Sequence, residues 1–159
     1  MGILTENMKR VVREQRLGFI ATVCPDGTPN LSPKGTTAVW DDDHLVFADL
    51  RSPGTMANLR HNPAIEINVV DVVARTGYRF KGRATIVSDG PVYEKLLETA
   101  RERDLDRMVR SFVLVKVERA GELISPGYDQ GKSEAEMRTE WLDYWNDLNR
   151  PRIPARSRD

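Results

Sequence analysis

The sequence predicts an antiparallel β-barrel with peripheral helices, an α+β fold that is mainly β. Short apolar segments alternate with period two, most clearly in residues 64–70 and 77–87. Turn residues separate the first three predicted strands, so these strands pair as antiparallel neighbours. A doubly wound parallel sheet would need a helical crossover between most strands, and the sequence offers none among the first three.

Composition and charge exclude several classes of protein. The 159 residues suggest one fold that buries about 70% of the unfolded surface. Lys plus Arg equals Asp plus Glu at 24 each, which argues against a nucleic-acid or membrane-surface protein. No apolar run approaches the ~20 residues of a membrane span. With one cysteine, Cys24, and no signal-peptide pattern, we expect a cytoplasmic protein.

The stretch 50–63 carries the strongest functional signal. It follows an apolar strand, opens with Arg51, Ser52, Pro53 and Gly54, and then becomes a short helical pattern. The first N–H groups of a helix lack internal partners and favour an anion, to which Arg51 would add a bidentate contact. The alternative is an ordinary capped helix with Ser52 as N-cap and Pro53 at the first helical position.

The elements before this stretch are a helix and three strands. Residues 5–15 form an amphipathic helix with Thr5 as N-cap. Strands follow at 17–23, 30–40 and 44–49, the second of them irregular around Pro33 and Gly35. We interpret the acidic residues 41–43 as a solvated hairpin turn rather than a metal site, because adjacent turn residues rarely converge on one ion. We therefore predict no metal ligands.

The strand 77–87 has a cationic face. Tyr78 and Phe80 belong to its apolar face, whereas Arg79, Lys81 and Arg83 alternate onto the other. This row could line an anionic site or could form a solvent-exposed sheet face, and the pattern does not decide between them.

The last third of the chain predicts a helix from Pro91 to about residue 103, a strand at 112–117 and a loop at 125–131. Ser133 and Glu136 form a capping box for a final helix. We expect three regions: a barrel domain at 1–124, a C-terminal loop and amphipathic helix at 125–149, and a disordered tail at 150–159. The helix would pack on the barrel or on a partner subunit. Its apolar face comprises Met137, Trp141, Tyr144, Trp145 and Leu148.

The ordered combination of these segments resembles the pyridoxamine 5′-phosphate oxidase-like FMN-binding split-barrel family over about residues 8–119. The resemblance rests on the opening strand pair around Pro25-Asp26-Gly27-Thr28-Pro29, on 45–49, and on the turn and helix ending in Asn58-Leu59-Arg60-His61-Asn62-Pro63. It also rests on the strand with Lys81-Gly82-Arg83-Ala84. It implies a homodimeric split barrel that binds FMN in a cleft at the subunit interface. The charge balance and the absence of a long apolar run separately lead us to expect no nucleic acid and no membrane as a partner.

The resemblance also implies a set of cofactor-binding residues. One group matches the strand beside the isoalloxazine and ribityl chain: Ser32, Pro33, Lys34, Gly35, Thr36 and Thr37. A second matches the end of the next strand: Phe47, Ala48 and Asp49. A third matches the phosphate-binding turn and helix start: Arg51, Ser52, Gly54 and Thr55. Lys34 would place a positive charge near the ring, which favours anionic reduced flavin.

Departures from the oxidase pattern bear on the substrate. The oxidases carry a basic pair at Gly54 and Thr55 and an arginine at Ser32, and their C-terminal substrate segment has no clear match here. We therefore do not expect pyridoxamine phosphate as the substrate. Tyr128 and Trp141 would either close over the flavin or pack at the dimer seam, and we favour packing.

The resulting hypothesis is an FMN-dependent oxidoreductase with an unknown small-molecule substrate. The alternatives are a non-catalytic flavin-binding redox sensor or electron carrier, or the same fold using deazaflavin or haem. No side chain is nominated as a catalytic acid or base, since His44 lies at a hairpin and His61 at a helix end.

Overall fold

The structure is a computed structural model that describes residues 2–150 of the 159. The predicted tail lies outside the described residues from 151 onward. The described elements, in chain order, are α1 Glu6–Gln15, β1 Gly18–Val23, β2 Pro29–Lys34, β3 Ala38–Val39, β4 His44–Asp49, α2 Pro53–His61, β5 Ala64–Asp71, β6 Thr76–Val87, α3 Gly90–Arg101, a 3₁₀ turn Asp106–Met108, β7 Ser111–Ile124, α4 Pro126–Asp129 and α5 Glu134–Leu148.

The seven strands form one sheet in the order β2-β1-β5-β6-β7-β4-β3, and the recorded pairings are antiparallel. β2 and β3 occupy opposite edges of this order, yet only residues 35–37 connect them. A flat seven-stranded sheet would separate its edges by about 29 Å. The connection from 34 to 38 reaches at most about 15 Å. The sheet is therefore curled into a half-barrel, which confirms the predicted antiparallel fold class.

Two compact units divide the described chain. Among the described residues, the first comprises 2–70 and 77–123, and the second comprises 71–76 and 124–150. The core of the first unit is the inner side of the curled sheet, where Ile20, Phe47, Ile67, Phe80 and Val115 are fully buried. A second cluster lies beneath α3 on the other side of β4 and includes Val46, Ala48, Leu96 and Phe112.

The predicted strand 30–40 is wrong in one respect, because it breaks at residues 35–37. The Thr37 hydroxyl donates to the Lys34 carbonyl at 2.9 Å, which closes a tight turn between β2 and β3. The chain passes close to the start of β1 here. A Cβ on Gly18 would lie 2.5 Å from the Thr37 hydroxyl oxygen, so this approach requires glycine. The break positions Gly35 and Thr36 at the rim of the barrel.

The acidic turn between β3 and β4 is solvated as predicted, with Asp41 and Asp42 exposed, and it also anchors the N-terminal segment. Asp43 accepts the Ile3 N–H at 2.8 Å, and Lys9 donates to Asp42 at 2.5 Å. Lys9 is accordingly buried, although it is a charged residue on an amphipathic helix. Thr5 caps α1 as expected and accepts the Met8 N–H at 3.3 Å.

The second unit joins the β5–β6 turn to the C-terminal helices. Asp71 accepts N–H groups from Val73 and Ala74 and pairs with Arg138 at 2.9 Å. The predicted capping box of Ser133 and Glu136 is present at the start of α5. Strand β7 runs seven residues beyond the predicted 117, and the predicted loop 125–131 contains the short helix α4. Within residues 2–150, no helix has the length and hydrophobicity to cross a membrane.

Candidate functional site

The thirteen predicted cofactor residues all lie in the first unit, on four short pieces of backbone. These are the end of β2, the turn 35–37, the end of β4, and the turn leading into α2. The curl of the sheet brings the first two pieces to the last two, although β2 and β4 are not paired as strands. The structure therefore brings together two sets of residues that are 10 to 23 positions apart in the sequence.

A side chain links the turn to β4. The Ala48 N–H donates to the Thr36 hydroxyl at 3.0 Å. β3 pairs with β4 only through Ala38–Val46 and Val39–Leu45. Beyond Val46, the Thr36 hydroxyl takes the place of a backbone acceptor from β3. The bond fixes the rim turn against the strand end.

Lys34 is a buried cation at the end of β2. Its ammonium donates to the Ser32 hydroxyl, and its residue is 8% exposed. Burial lowers the pKa of Lys34, and the charge of Asp49 offsets part of that shift. No carboxylate oxygen of the described residues lies within 4.0 Å of the ammonium, so it is not neutralised by direct contact. A bound anion would offset the free-energy cost of burying this cation.

Asp49 connects the lysine to the start of α2. Its carboxylate accepts the Ser52 N–H at 3.0 Å, and its carbonyl accepts the Arg110 N–H at 3.0 Å. Asp49 is buried at the end of β4. It therefore sets the path of the backbone between strand and helix while lying close enough to Lys34 to influence its charge.

The N-terminus of α2 is uncapped. Ser52 and Pro53 occupy the N-cap and first helical positions, as the ordinary-helix interpretation predicts, but the Ser52 hydroxyl makes no cap bond. The first amide with a helical partner is that of Met56, which donates to the Ser52 carbonyl at 3.0 Å. Within the described chain, the N–H groups of Gly54 and Thr55 have no acceptor. Such groups at the positive end of a helix dipole bind anions.

Two glycines border this region, and neither a close contact nor a backbone angle within the chain requires glycine at these positions. A Cβ added at Gly35 or Gly54 would meet no atom within 4 Å, and neither residue has a positive φ. Both are exposed. Because glycine has no side chain, each position leaves open space beside backbone N–H groups. A ligand can approach the backbone closely there, as phosphate does at the glycines of phosphate-binding loops.

The remaining predicted residues differ in whether a ligand could contact their side chains or only their backbone. The Phe47 and Ala48 side chains are buried in the two apolar clusters, so only their backbone is available to a ligand. Pro33 and Arg51 are exposed, and Thr37 and Thr55 are buried. Arg51 has no carboxylate within 4.0 Å in the described chain and is free to engage an anion.

Sequence reasoning missed a positioning residue on α2. The Asn58 amide donates to the Thr22 hydroxyl at 3.0 Å and lies 3.5 Å from the Cys24 sulfur. Asn58 is buried, so these contacts fix α2 against the end of β1. A polar residue on the buried face of a short helix is the sequence signal that indicates such a role.

The two histidines stand apart from the uncapped helix end. His44 lies 2.8 Å from an Asp41 carboxylate oxygen at the start of β4. His61 is the last residue of α2, and a helix of nine residues is about 13 Å long. Within residues 2–150, no group of three potential metal-ligating side chains comes together.

A curled antiparallel sheet with peripheral helices is the architecture of split-barrel proteins. The sequence profile described as pyridoxamine 5′-phosphate oxidase matches residues 4–126. The chain therefore belongs to the pyridoxamine 5′-phosphate oxidase family.

Several individual proteins are similar to this chain in sequence or structure. An uncharacterised protein of Methanocaldococcus jannaschii is 28% identical over 131 residues, which cover 81% of this chain and 86% of that protein. The crystal structure of HupZ from Group A Streptococcus is 34% identical, with a TM-score of 0.70 over 76% of this chain and 94% of that one. An F420 reductase structure is 25% identical, with a TM-score of 0.58 over 74% of this chain and 98% of that one.

Proposed function

We propose that this protein is an FMN-binding oxidoreductase whose cofactor lies at the rim of the barrel between β2, β4 and α2. The observation that carries the proposal is the buried, unneutralised Lys34 beside Asp49, which in turn contacts the backbone at the uncapped start of α2. A cation and two free N–H groups in one region suit an anionic cofactor. The family resemblance over residues 8–119 supports FMN as that cofactor.

The phosphate end of FMN is assigned to the start of α2. Gly54 and Thr55 supply backbone N–H groups, Ser52 an uncommitted hydroxyl, and Arg51 a guanidinium that can bind phosphate oxygens in a bidentate manner. These donors differ from the paired basic residues of the oxidases. The phosphate contact here depends more on the helix end and on one arginine.

The ring end is assigned to β2 and the turn that follows it. β2 pairs only with β1 and is an edge strand of the sheet, so the backbone groups on its other edge are available to the polar edge of a flavin. Lys34 holds positive charge beside this edge. Thr36 and Asp49 keep the turn and the end of β4 in place through the bonds to Ala48 and Ser52.

A homodimer with the cofactor cleft at its interface is part of the proposal. The outer side of β1 and β2 exposes Leu17, Phe19 and Leu31 at 41%, 39% and 66% of their surfaces. Phe19 lies opposite Pro33, and Ala21 opposite Leu31, so the apolar residues form one continuous face. An exposed apolar face of this kind marks a protein contact. It adjoins Pro33 and therefore the assigned ring site.

FMN would supply hydride or electron transfer, and the chain would supply binding, orientation and charge. The alternative to an enzyme is a flavin-binding sensor or electron carrier. Oxidation of reduced nicotinamide by the holoprotein distinguishes them. Multiple turnovers with an added acceptor support the enzyme, whereas a single stoichiometric reduction supports the carrier.

A deazaflavin is the second candidate cofactor. The observation that favours it is the structural match to an F420 reductase at 25% identity. A deazaflavin with a phosphate would use the same anion-binding groups. Direct competition between FMN and coenzyme F420 for the protein freed of any chromophore decides which is preferred, and the spectrum of the protein as purified identifies haem if that is bound instead.

The test of the site is an FMN titration of three proteins: wild type, Arg51→Ala and Arg60→Ala. Arg60 is an exposed arginine in the last turn of the same helix and serves as the matched control. We expect Arg51→Ala to weaken FMN binding about tenfold through loss of a charge-assisted contact, with Arg60→Ala unchanged. Equal affinities for all three proteins would contradict the phosphate assignment. Light scattering tests the dimer, which a monomer with bound flavin would exclude.

A further inference from the structure

The helix α5 carries two adjacent stripes of side chains, one acidic and one apolar. Spacings of four, three and four residues place a row of carboxylates on one side of the helix: Glu136, Glu140, Asp143 and Asp147. The apolar stripe is offset by one position: Met137, Trp141, Tyr144 and Leu148. α5 lies beyond residues 4–126, over which the chain matches its family, so this surface is an addition to the shared barrel.

Part of the apolar stripe packs within the chain, and part of it faces solvent. Met137 is buried, and Arg75 covers the Trp141 ring at 4.0 Å. Tyr144 is half-exposed, and its ring stands edge-on to Trp141 and to Trp145, with 5.4 Å between ring centroids in each pair. A half-exposed aromatic ring that its neighbours hold in place is suited to contact with another protein surface.

The acidic stripe includes a carboxylate without a cation. Glu140 pairs with Lys132, and Asp147 pairs with Arg150. Asp143 lies between these two acidic residues on the stripe and is exposed. It has no cation within 4.0 Å among residues 2–150. The surface that covers Tyr144 is therefore expected to be cationic as well as apolar.

A groove of about 400 Å³ on the outer face of β1, β5 and β6 has these properties. Ala21 and Ala64 contribute to its apolar floor. Arg83 and Arg119 line the groove, and neither has a carboxylate within 4.0 Å in the described part of the chain. The groove therefore presents two unneutralised cations beside a surface on which an aromatic ring can lie.

This groove belongs to the face that the proposed homodimer covers. Ala21 lines the groove and lies opposite the exposed Leu31. Val23 and Pro29, the next outward pair of the same two strands, also line it. A second copy that covers the outer side of β1 and β2 therefore reaches the groove as well. The element that it places there must be partly apolar and must neutralise the two arginines.

Strand β5 relates the groove to the turn that holds α5. Ala64 and Glu66, at the start of β5, line the groove, whereas Asp71, at its end, pairs with Arg138 of α5 at 2.9 Å. The length of the strand separates these ends by about 24 Å. A two-fold axis that crosses the strands in the plane of the contact reverses β5 between the copies. It brings the α5 end of one copy over the groove end of the other.

We propose that α5 of each copy docks in the groove of the other, with Tyr144 over the apolar floor and Asp143 beside Arg83 and Arg119. The inference rests on the homodimer of the proposed function, and it identifies the helix that completes the interface. Glu118 also lines the groove, and its negative charge opposes this contact.

Two charge-reversal variants test the contact by mixing. The helix variant carries Asp143→Arg and Asp147→Arg, and the groove variant carries Arg83→Glu and Arg119→Glu. Each variant alone places like charges in both contacts, so the dissociation constant of its dimer should rise about tenfold in sedimentation analysis. In a heterodimer of the two variants, both contacts join opposite charges. Native mass spectrometry of an equimolar mixture should therefore record heterodimers in clear excess over random exchange.

The control for the helix variant is Glu98→Arg, which reverses an exposed carboxylate of α3 away from the groove. Its mixture with the groove variant should show no excess of heterodimer. Glu118→Gln provides a test without charge reversal and should lower the dissociation constant of the dimer, because a like charge leaves the groove. Near-ultraviolet circular dichroism verifies that each variant is folded.

The outcomes separate this contact from the homodimer itself. A dimeric wild type whose two charge-reversal variants exchange at random would overturn the docking of α5 and leave the homodimer standing. Docking of α5 in the groove of its own chain would also give random exchange. An unchanged dissociation constant in Glu118→Gln would contradict the contact independently. A monomeric wild type would exclude the homodimer, and the contact with it.

Discussion

The hydroxyl of Thr36 accepts the backbone N–H of Ala48 at 3.0 Å, and this bond ties the turn between the two edge strands, β2 and β3, to β4. Thr36 follows β2 and Ala48 belongs to β4, so the contact spans twelve positions in the sequence. It takes the place of a ladder bond at the point where β3 has already ended. The rim on which the cofactor is proposed to bind is therefore held by a side chain.

Replacing Thr36 by valine keeps the shape of the side chain and removes the acceptor. The Ala48 N–H is then left unpaired in a buried position, which we expect to lower the free energy of unfolding by about 1–2 kcal/mol. Thr36→Ser restores the hydroxyl and should recover most of that loss. Urea unfolding measures both. A Thr36→Val protein as stable as the wild type would show that the bond contributes nothing, and FMN affinity measured on the same proteins reports whether the rim turn positions the cofactor.

Because Lys34 is buried, we expect the free energy of unfolding to depend on pH in the alkaline range. Burial lowers its pKa in the folded state below the ordinary 10.5, so the unfolded chain binds more protons between the two values. The penalty for burying the cation is present at neutral pH and disappears as the pH rises through the lowered pKa. Wild type should therefore gain stability relative to Lys34→Met as the pH approaches 10.5.

An anion bound at Lys34 reverses the sign of this effect. The negative charge of a reduced flavin ring beside Lys34 would raise the pKa of the lysine, so binding of reduced FMN should weaken over the same alkaline range in wild type and not in Lys34→Met. Differential scanning calorimetry and FMN titration at matched pH values test the two statements. A constant stability difference between the two proteins across that range would show that the lysine is not desolvated.

The sequence predicted the parts of the site that depend on local pattern. Ser52, Pro53 and the stop at Asn62 follow from capping and proline chemistry, and the capping box at Ser133 follows in the same way. Alternation with period two predicted the strands and the two faces of β6. These features are local, and a single chain is enough to indicate them.

Features that depend on long-range contacts were not predictable from pattern. Nothing in α1 indicates that Lys9 is buried against Asp42, because the partner lies 33 residues away. The break of the strand at 35–37 depends on Thr37 packing against Gly18. The absent cap bond at Ser52 likewise requires the structure, since the residue type alone predicts a cap.

Asn58 and Thr22 provide a test of how α2 is positioned. Their bond at 3.0 Å is buried, and Thr22 also accepts from Asn30 at 3.2 Å. Asn58→Leu removes the link to β1 and should lower both stability and FMN affinity, because the uncapped helix end is no longer held in place. A double-mutant cycle with Thr22→Val should give a coupling energy of about 1 kcal/mol. Additive effects of the two substitutions would mean that the bond does not fix the helix.

Asp71 predicts a loss of stability in acid that is local to the second unit. Burial alone would raise the pKa of this carboxyl, but hydrogen bonds from the Ala74 N–H, Arg138 and the Val73 N–H outweigh it, and the net shift is downward from 3.8. The contribution of ionised Asp71 to stability is therefore complete above its ordinary pKa of 3.8. It is lost as the pH falls below that value and passes through the lower pKa of the folded state. We expect Asp71→Ala to cost about 2 kcal/mol at neutral pH, which allows for the partial exposure of Arg138.

The tryptophans of α5 report this unit directly. Arg75 in the β5–β6 turn stacks over the Trp141 ring at 4.0 Å, so release of the turn changes the fluorescence of that residue. A Trp40→Phe background leaves only Trp141 and Trp145 as reporters. In this background the acid-dependent fluorescence change should be present with Asp71 and absent with Asp71→Ala. Glu140→Gln, which breaks an exposed pair with Lys132, should shift stability by at most about 0.5 kcal/mol and leave the acid transition in place. An acid transition that persists in Asp71→Ala would assign it to another carboxyl group.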